Sequence, residues 1–192
     1  MRINSVYDAD LQNGEGVGVT IGVVGCSQKC LGCFNQEAWN FYGGREYTKK
    51  EEENIINLLN RPYINHLSVI GGEPLMPQNV KELASLLKEV KNTFFTKKIW
   101  IWSGFYFEAI RRMAYDMNLN EGIYPIHSSW NWEQKMALRK ILNLADILVD
   151  GPFIQEKKDI TLKWRGSSNQ RVIDLKSSLK DISNPKIVLY CN

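Results

Sequence analysis

"GVTIGVVGCSQKCLGCFN", residues 18–35, joins a short continuous apolar run to three cysteines, Cys26, Cys30 and Cys33, in a chain that holds only one other. A run of this kind, glycine-bounded and rich in Val and Ile, fits a strand buried on both faces. The same alternation repeats downstream. "TKKEEENIINLLN" (48–60) carries a capping-box pattern, Thr48 with Glu51, ahead of spaced apolar residues. "HLSVIGG" (66–72) reads as a second buried strand, followed by "PQNVKELASLLKEVKNTF" (77–94) at helical spacing. "KKIWIWSG" (97–104) and "FYFEAIRRMAYDM" (105–117) form a third strand and helix, and "WEQKMALRKILNLA" (132–145) leads into a fourth strand, "DILVDG" (146–151). Apolar strands alternating with amphipathic helices predict an α/β fold with a parallel sheet. No repeat, low-complexity tract or linker divides the chain, so residues 1–192 are expected to form one domain.

The four strands end at Cys26, at Gly71-Gly72-Glu73, at Ser103-Gly104 and at Asp150-Gly151. Each unusual cluster thus falls just past the C-terminal end of a strand, the edge where parallel α/β folds bind ligands. A closed eight-unit barrel usually takes ~250 residues. A chain of 192 residues therefore predicts an incomplete, open-sided (β/α) barrel of parallel strands.

Three thiolates on one short loop are a poor zinc set. Structural zinc wants four closed ligands, typically two separated CxxC-like pairs, and only Cys191, His66 and His127 remain elsewhere. A [4Fe-4S] cube takes one ligand per iron, so three cysteines would leave one iron open to an exogenous chelator. Spacing favours the iron–sulfur cluster and leaves zinc, or three thiols buried as small apolar groups, as the alternatives.

The chain's 24 basic and 21 acidic residues leave a net charge of +3, without a basic block that would mark a nucleic-acid footprint. "MRINSVYDADLQNGEG" has no apolar core for a signal peptide, and "GVGVTIGVVG" is too short to span a bilayer. A cytoplasmic protein is expected, with no membrane partner. In a reducing compartment clustered cysteines are metal ligands or redox groups rather than disulfides.

"CSQKCLGC" has the CxxxCxxC spacing of the radical S-adenosylmethionine (SAM) enzymes, and "GGEP" (71–74) is similar to their second hallmark. "CLGCFN", "GGEPLMPQNV", "IWIWSGF", "ILVDGPF" and "WRGSSNQR", in that order, resemble the activating proteins of anaerobic ribonucleoside-triphosphate reductase, a branch of the glycyl-radical enzyme activases. The resemblance runs from about residue 5 to about residue 174 and leaves the C-terminal extension, about 175–192, unassigned. In the wider superfamily an aromatic residue precedes the last cysteine. Here that position is Gly32 and the aromatic, Phe34, follows, as in the reductase activators themselves.

The resemblance implies an oxidoreductase that cleaves SAM reductively at a [4Fe-4S] cluster and makes a glycyl radical on the reductase. It implies Cys26, Cys30 and Cys33 as iron ligands, and no catalytic side chain beyond the cluster and the SAM site. Gly71 and Gly72 would let the backbone approach the SAM methionine, and Glu73 would accept from its ammonium. Gly32, Cys33 and Phe34 would line the adenine side, and Ser103 and Asp150 would bond the SAM carboxylate or ribose. The partners implied are the reductase as protein substrate and an electron donor such as flavodoxin. The alternatives are an activase of another glycyl-radical enzyme, such as pyruvate formate-lyase, or a non-enzymatic zinc or iron–sulfur module. His66 and His127 are assigned structural roles, Cys191 is expected to be a free thiol, and most of the six tryptophans are expected in the core.

Overall fold

The computed structural model describes residues 1–115, 130–182 and 185–190. His127, Cys191 and much of the 121–140 segment, on which sequence expectations fell, lie outside those residues. In chain order the elements are β1 (Arg2–Asp10), β2 (Gly18–Val23), β3 (Arg45–Glu46), α1 (Lys49–Leu59), β4 (His66–Gly71), α2 (Val80–Thr93), β5 (Lys98–Trp102), α3 (Phe107–Tyr115), α4 (Trp132–Leu144), β6 (Ile147–Asp150), β7 (Arg171–Asp174) and α5 (Leu175–Ser178).

Among the described residues the strands make one open seven-stranded sheet of order β3-β1-β2-β4-β5-β6-β7. The four apolar runs singled out by sequence are its centre, and β2, β4, β5 and β6 pair in parallel. The expected all-parallel sheet is corrected at both sides. β1 pairs antiparallel with β2 and with β3, and β7 pairs antiparallel with β6. The reason is local: β1 is partly exposed, polar and broken by two register shifts, and β7 has four residues, so neither presents a continuous apolar run.

Side chains alternate between the two faces of the sheet. Val19, Ile21, Val23, Leu67, Val69, Ile99, Ile101 and Leu148 join one core with buried residues of α1 to α4. Trp100, Ile147, Val149 and Val172 point the other way and pack with Trp102, Trp164 and Tyr190. On that second face His66 Nε2 lies 2.8 Å from the Asn13 carbonyl, which Ser68 Oγ also bonds. A side chain at Gly18 would lie 2.0 Å from the His66 ring, so the glycine makes room for the imidazole. Desolvation holds the His66 pKa below its ordinary value and keeps the ring neutral. Its place at the start of β4, the end remote from the cysteines, fits the structural role expected of it.

The capping box expected at Thr48 forms by half. Thr48 Oγ1 accepts from the Glu51 amide at 3.4 Å, but the Glu51 carboxylate turns to Arg45 at 2.6 Å. The complete box is at α4, where Asn131 and Gln134 bond reciprocally at 2.9 Å each. The C-terminal extension turns at α5 and returns along β7: the Asp174 amide donates to Val188 O at 2.9 Å and the Tyr190 amide to Val172 O at 2.8 Å. It covers the β7 edge and inserts Tyr190 edge-on to Trp100, ring centroids 5.3 Å apart.

Candidate functional site

The cysteine loop leaves β2 at Gly25, whose φ of +90° a side chain would strain. Its base is stitched down: the Gly25 amide donates to Ala38 O at 2.8 Å, and Gly25 O accepts from the Glu73 amide at 2.9 Å. The last bond ties the cysteine loop to the Gly71-Gly72-Glu73 loop beyond the ends of their strands. Lys29 and Gly32 are left-handed, with φ of 46° and 72°, and bend the chain on either side of Cys30. The Cys33 amide donates to Cys30 O at 3.1 Å.

Cys26 is buried, while Cys30 and Cys33 are half-buried, and all three are free thiols. Burial pushes the Cys26 thiol up to about 11. Burial also raises the Cys30 pKa, against a backbone hydrogen bond from Phe153. At both positions burial disfavours the thiolate. Among the described residues no three Cys, His, Asp or Glu side chains are gathered closely enough to hold a metal ion.

Gly71 and Gly72 are required by the protein's own chain. At Gly71, with φ +114°, a Cβ would lie 2.4 Å from Val23 O, and at Gly72 one would lie 2.8 Å from Gly25 O and from Ala38 O. Their missing side chains admit the backbone of the cysteine-bearing segment.

Glu73 is fully buried. Its Oε1 accepts from the Leu75 amide and from Ser103 Oγ, each at 2.9 Å, and its Oε2 from the Gly104 amide at 2.7 Å. Desolvation pushes its carboxyl up to about 7, against the pull of these three donors. Glu73 therefore bridges the end of β4 to the end of β5. Ser103, also buried, passes the bridge on by accepting from the Phe105 amide at 3.1 Å.

Asp150 is fully buried and fully engaged. It accepts from the Phe107 amide at 2.7 Å, at the start of α3, and from Arg171 Nε at 3.0 Å. Arg171 also reaches Glu108 with two bonds of 2.9 and 2.8 Å, which hold the Glu108 carboxyl below its ordinary range. Phe34 is wholly exposed and so is no part of the core, and neighbouring Leu31 is 76% exposed. Of the tryptophans, Trp100 and Trp130 are buried, whereas Trp132 is 55% exposed.

The structure brings the Cys26 end of the loop, Glu73 and Ser103 together, and places Asp150 at the next strand end, tied to α3 and β7. Sequence reading missed the residues that hold this edge. Asn79, fully buried, donates from Nδ2 to Glu73 O at 3.0 Å and to Val24 O at 3.2 Å, and Gln78 Nε2 reaches Val24 O at 3.3 Å. Asn79 occupies the N-cap position of α2, yet its side chain makes no capping bond. The segment "RGSSNQR" supports the post-β6 loop: Asn169 Nδ2 donates to Pro152 O at 2.8 Å, Gln170 Nε2 to Gly151 O at 3.0 Å, and the Ile154 amide to Ser167 Oγ at 3.3 Å. That loop faces the cysteines, since a Cβ at Gly32 would meet Gln155 Oε1 at 2.1 Å.

Comparison with known proteins adds an independent observation. Residues 12–173 match the family described as 4Fe-4S single cluster domain. The chain is 35% identical over 178 residues to the anaerobic ribonucleoside-triphosphate reductase-activating protein of Salmonella typhi, covering 92% of this chain and 100% of the relative. The protein of the same name from Escherichia coli (strain K12) is 34% identical over 178 residues, with the same coverage. That of Enterobacteria phage T4 is 34% identical over 173 residues, covering 90% of this chain and 93% of the relative.

Proposed function

We propose, from the premise that the chain belongs to the anaerobic ribonucleoside-triphosphate reductase-activating proteins, that it is a radical SAM activase making a glycyl radical on such a reductase. The observation that carries the proposal is the bonded pair of loops at one sheet edge, the three-cysteine loop and Gly71-Gly72-Glu73, joined through Gly25 O and the Glu73 amide at 2.9 Å. A donor set of three thiols on one short, partly exposed loop fits a [4Fe-4S] cluster with one open iron better than it fits zinc. Held by Cys26, Cys30 and Cys33, such a cluster would supply the single electron for reductive cleavage of SAM to methionine and a 5′-deoxyadenosyl radical, the oxidant that would remove the Cα hydrogen of a glycine in the reductase.

The chain's own part is placement. Cys26, Cys30 and Cys33 would hold iron as thiolates, giving up their protons on loading. Gly71 and Gly72 let the second loop lie against the first, and the backbone of that loop would receive the SAM methionine. The Glu73 carboxylate is spent on Leu75, Ser103 and Gly104, so its contribution is to fix the loop that meets SAM. Phe34 and Gly32 would border the adenine, with Ser103 and Asp150 holding the next two strand ends in register. The open sheet, read as one domain and an incomplete radical SAM barrel in the cytoplasm, leaves an unclosed wall through which a loop of a large protein can reach the strand ends. Flavodoxin is the proposed electron donor.

The test is direct. Reconstituted anaerobically with iron and sulfide, mixed with reductant, SAM and an anaerobic reductase, the protein is expected to produce a glycyl radical doublet by EPR. Cys30→Ala is expected to abolish both the doublet and the brown colour of the reconstituted protein. A full-strength doublet from that variant overturns the assignment.

A further inference from the structure

On the helix-covered side, a hollow of about 670 Å³ lies between α2 and α4. Ala84, Met136 and Leu144 give it an apolar lining, and Met136 is 38% exposed. Its rim holds four cations, Lys81, Lys88, Arg139 and Lys140, against one acid, Glu133, which Lys81 already pairs. Arg139 is occupied by the Ala114 carbonyl at 3.3 Å and by the Tyr115 ring at 4.8 Å. Lys88 and Lys140 have no acidic partner among the described residues. Of the acids of α2, Glu82 takes the Met1 ammonium at 3.1 Å, whereas Glu89 keeps its charge and accepts only a 3.5 Å hydrogen bond from Thr93. A chain of net charge +3 therefore concentrates unpaired positive charge beside an apolar hollow.

We propose that this groove docks the protein that delivers the electron, a small acidic one-electron carrier whose carboxylates meet Lys88 and Lys140 and whose apolar side chain enters beside Met136. The inference rests on the activase reading. Two features favour that occupant over the reductase. The groove lies on the helix side of the sheet, so a carrier bound there leaves the opposite face and the open edge free for the reductase loop. Its Lys81 end follows two residues after Asn79, whose amide grips Val24 O at the root of the cysteine loop.

The test reverses both free charges, Lys88→Glu with Lys140→Glu, in the reconstituted protein. A reduced flavodoxin serves as probe, in anaerobic titration calorimetry and as the reductant in the glycyl radical assay, with dithionite as the second reductant. Wild-type affinity is expected to fall with added salt, and the double variant to bind about tenfold more weakly or worse. Flavodoxin-driven radical yield is expected to drop while the dithionite-driven yield stays at the wild-type level. Undetectable binding by the wild type, unchanged affinity in the variant, or an equal loss with dithionite overturns the proposal. So does loss of a wild-type self-association in the variant, which would make a second copy the occupant. If neither reductant yields a radical with the wild type, the activase reading fails, and calorimetry still decides the groove.

Discussion

Glu73 shows how one residue can be conspicuous in sequence and do a different job in the fold. A GGEP motif beside a cysteine loop invites an acid that faces a ligand, yet the carboxylate is fully buried and surrounded by three donors of the protein itself. Its folded pKa of about 7 stands above the ordinary 4.5. The folded state therefore binds more protons than the unfolded state between these values, and the stability this contributes is full below about 4.5 and is lost as pH rises through about 7. Glu73→Gln, which cannot ionise, is expected to flatten that part of the profile of melting temperature against pH. It should also cost about 1–3 kcal/mol, because its amide NH₂ would face donors where oxygens now accept. Chemical denaturation at several pH values checks both effects.

At the scale of elements, the tail that follows β7 has a definite job. By pairing along β7 and setting Tyr190 against Trp100 and Trp164, it covers a sheet edge and completes the aromatic cluster of the second face. Tyr190 also donates to Glu15 and accepts from Lys98 at 2.7 Å, so the tail is tied to the loop between β1 and β2 and to the start of β5. Tyr190→Ala is expected to cost about 1–3 kcal/mol in urea unfolding, with a change in tryptophan emission as Trp100 loses an edge-on neighbour. Helices α1 to α4 were legible because each carries apolar residues at helical spacing over nine or more residues, whereas α5 has only four. β1 and β7 were not, because antiparallel pairing with a partly polar or very short strand leaves no periodic signal.

For the whole molecule, the fold and the site are separable. The main core cluster contains none of the three clustered cysteines. Chelation or exposure to air is therefore expected to remove the cluster and all glycyl radical formation while leaving far-UV circular dichroism unchanged. Collapse of secondary structure on chelation would contradict this separation.

What the amino-acid order determines by itself is local and repetitive. Apolar runs and helical spacing specified the four parallel strands and their helices, and the tight CxxxCxxC spacing favoured an iron–sulfur cluster over zinc, because such signals are carried by neighbours in the chain. Which distant groups meet was decided only by the tertiary structure. Asn79 gripping Val24 and Glu73, Arg171 bridging Asp150 and Glu108, and "RGSSNQR" buttressing the loop opposite Gly32 are contacts between strand ends. They exist because parallel pairing brings the C-terminal ends of β2, β4, β5 and β6 to one edge, and buried polar groups there must find partners on one another.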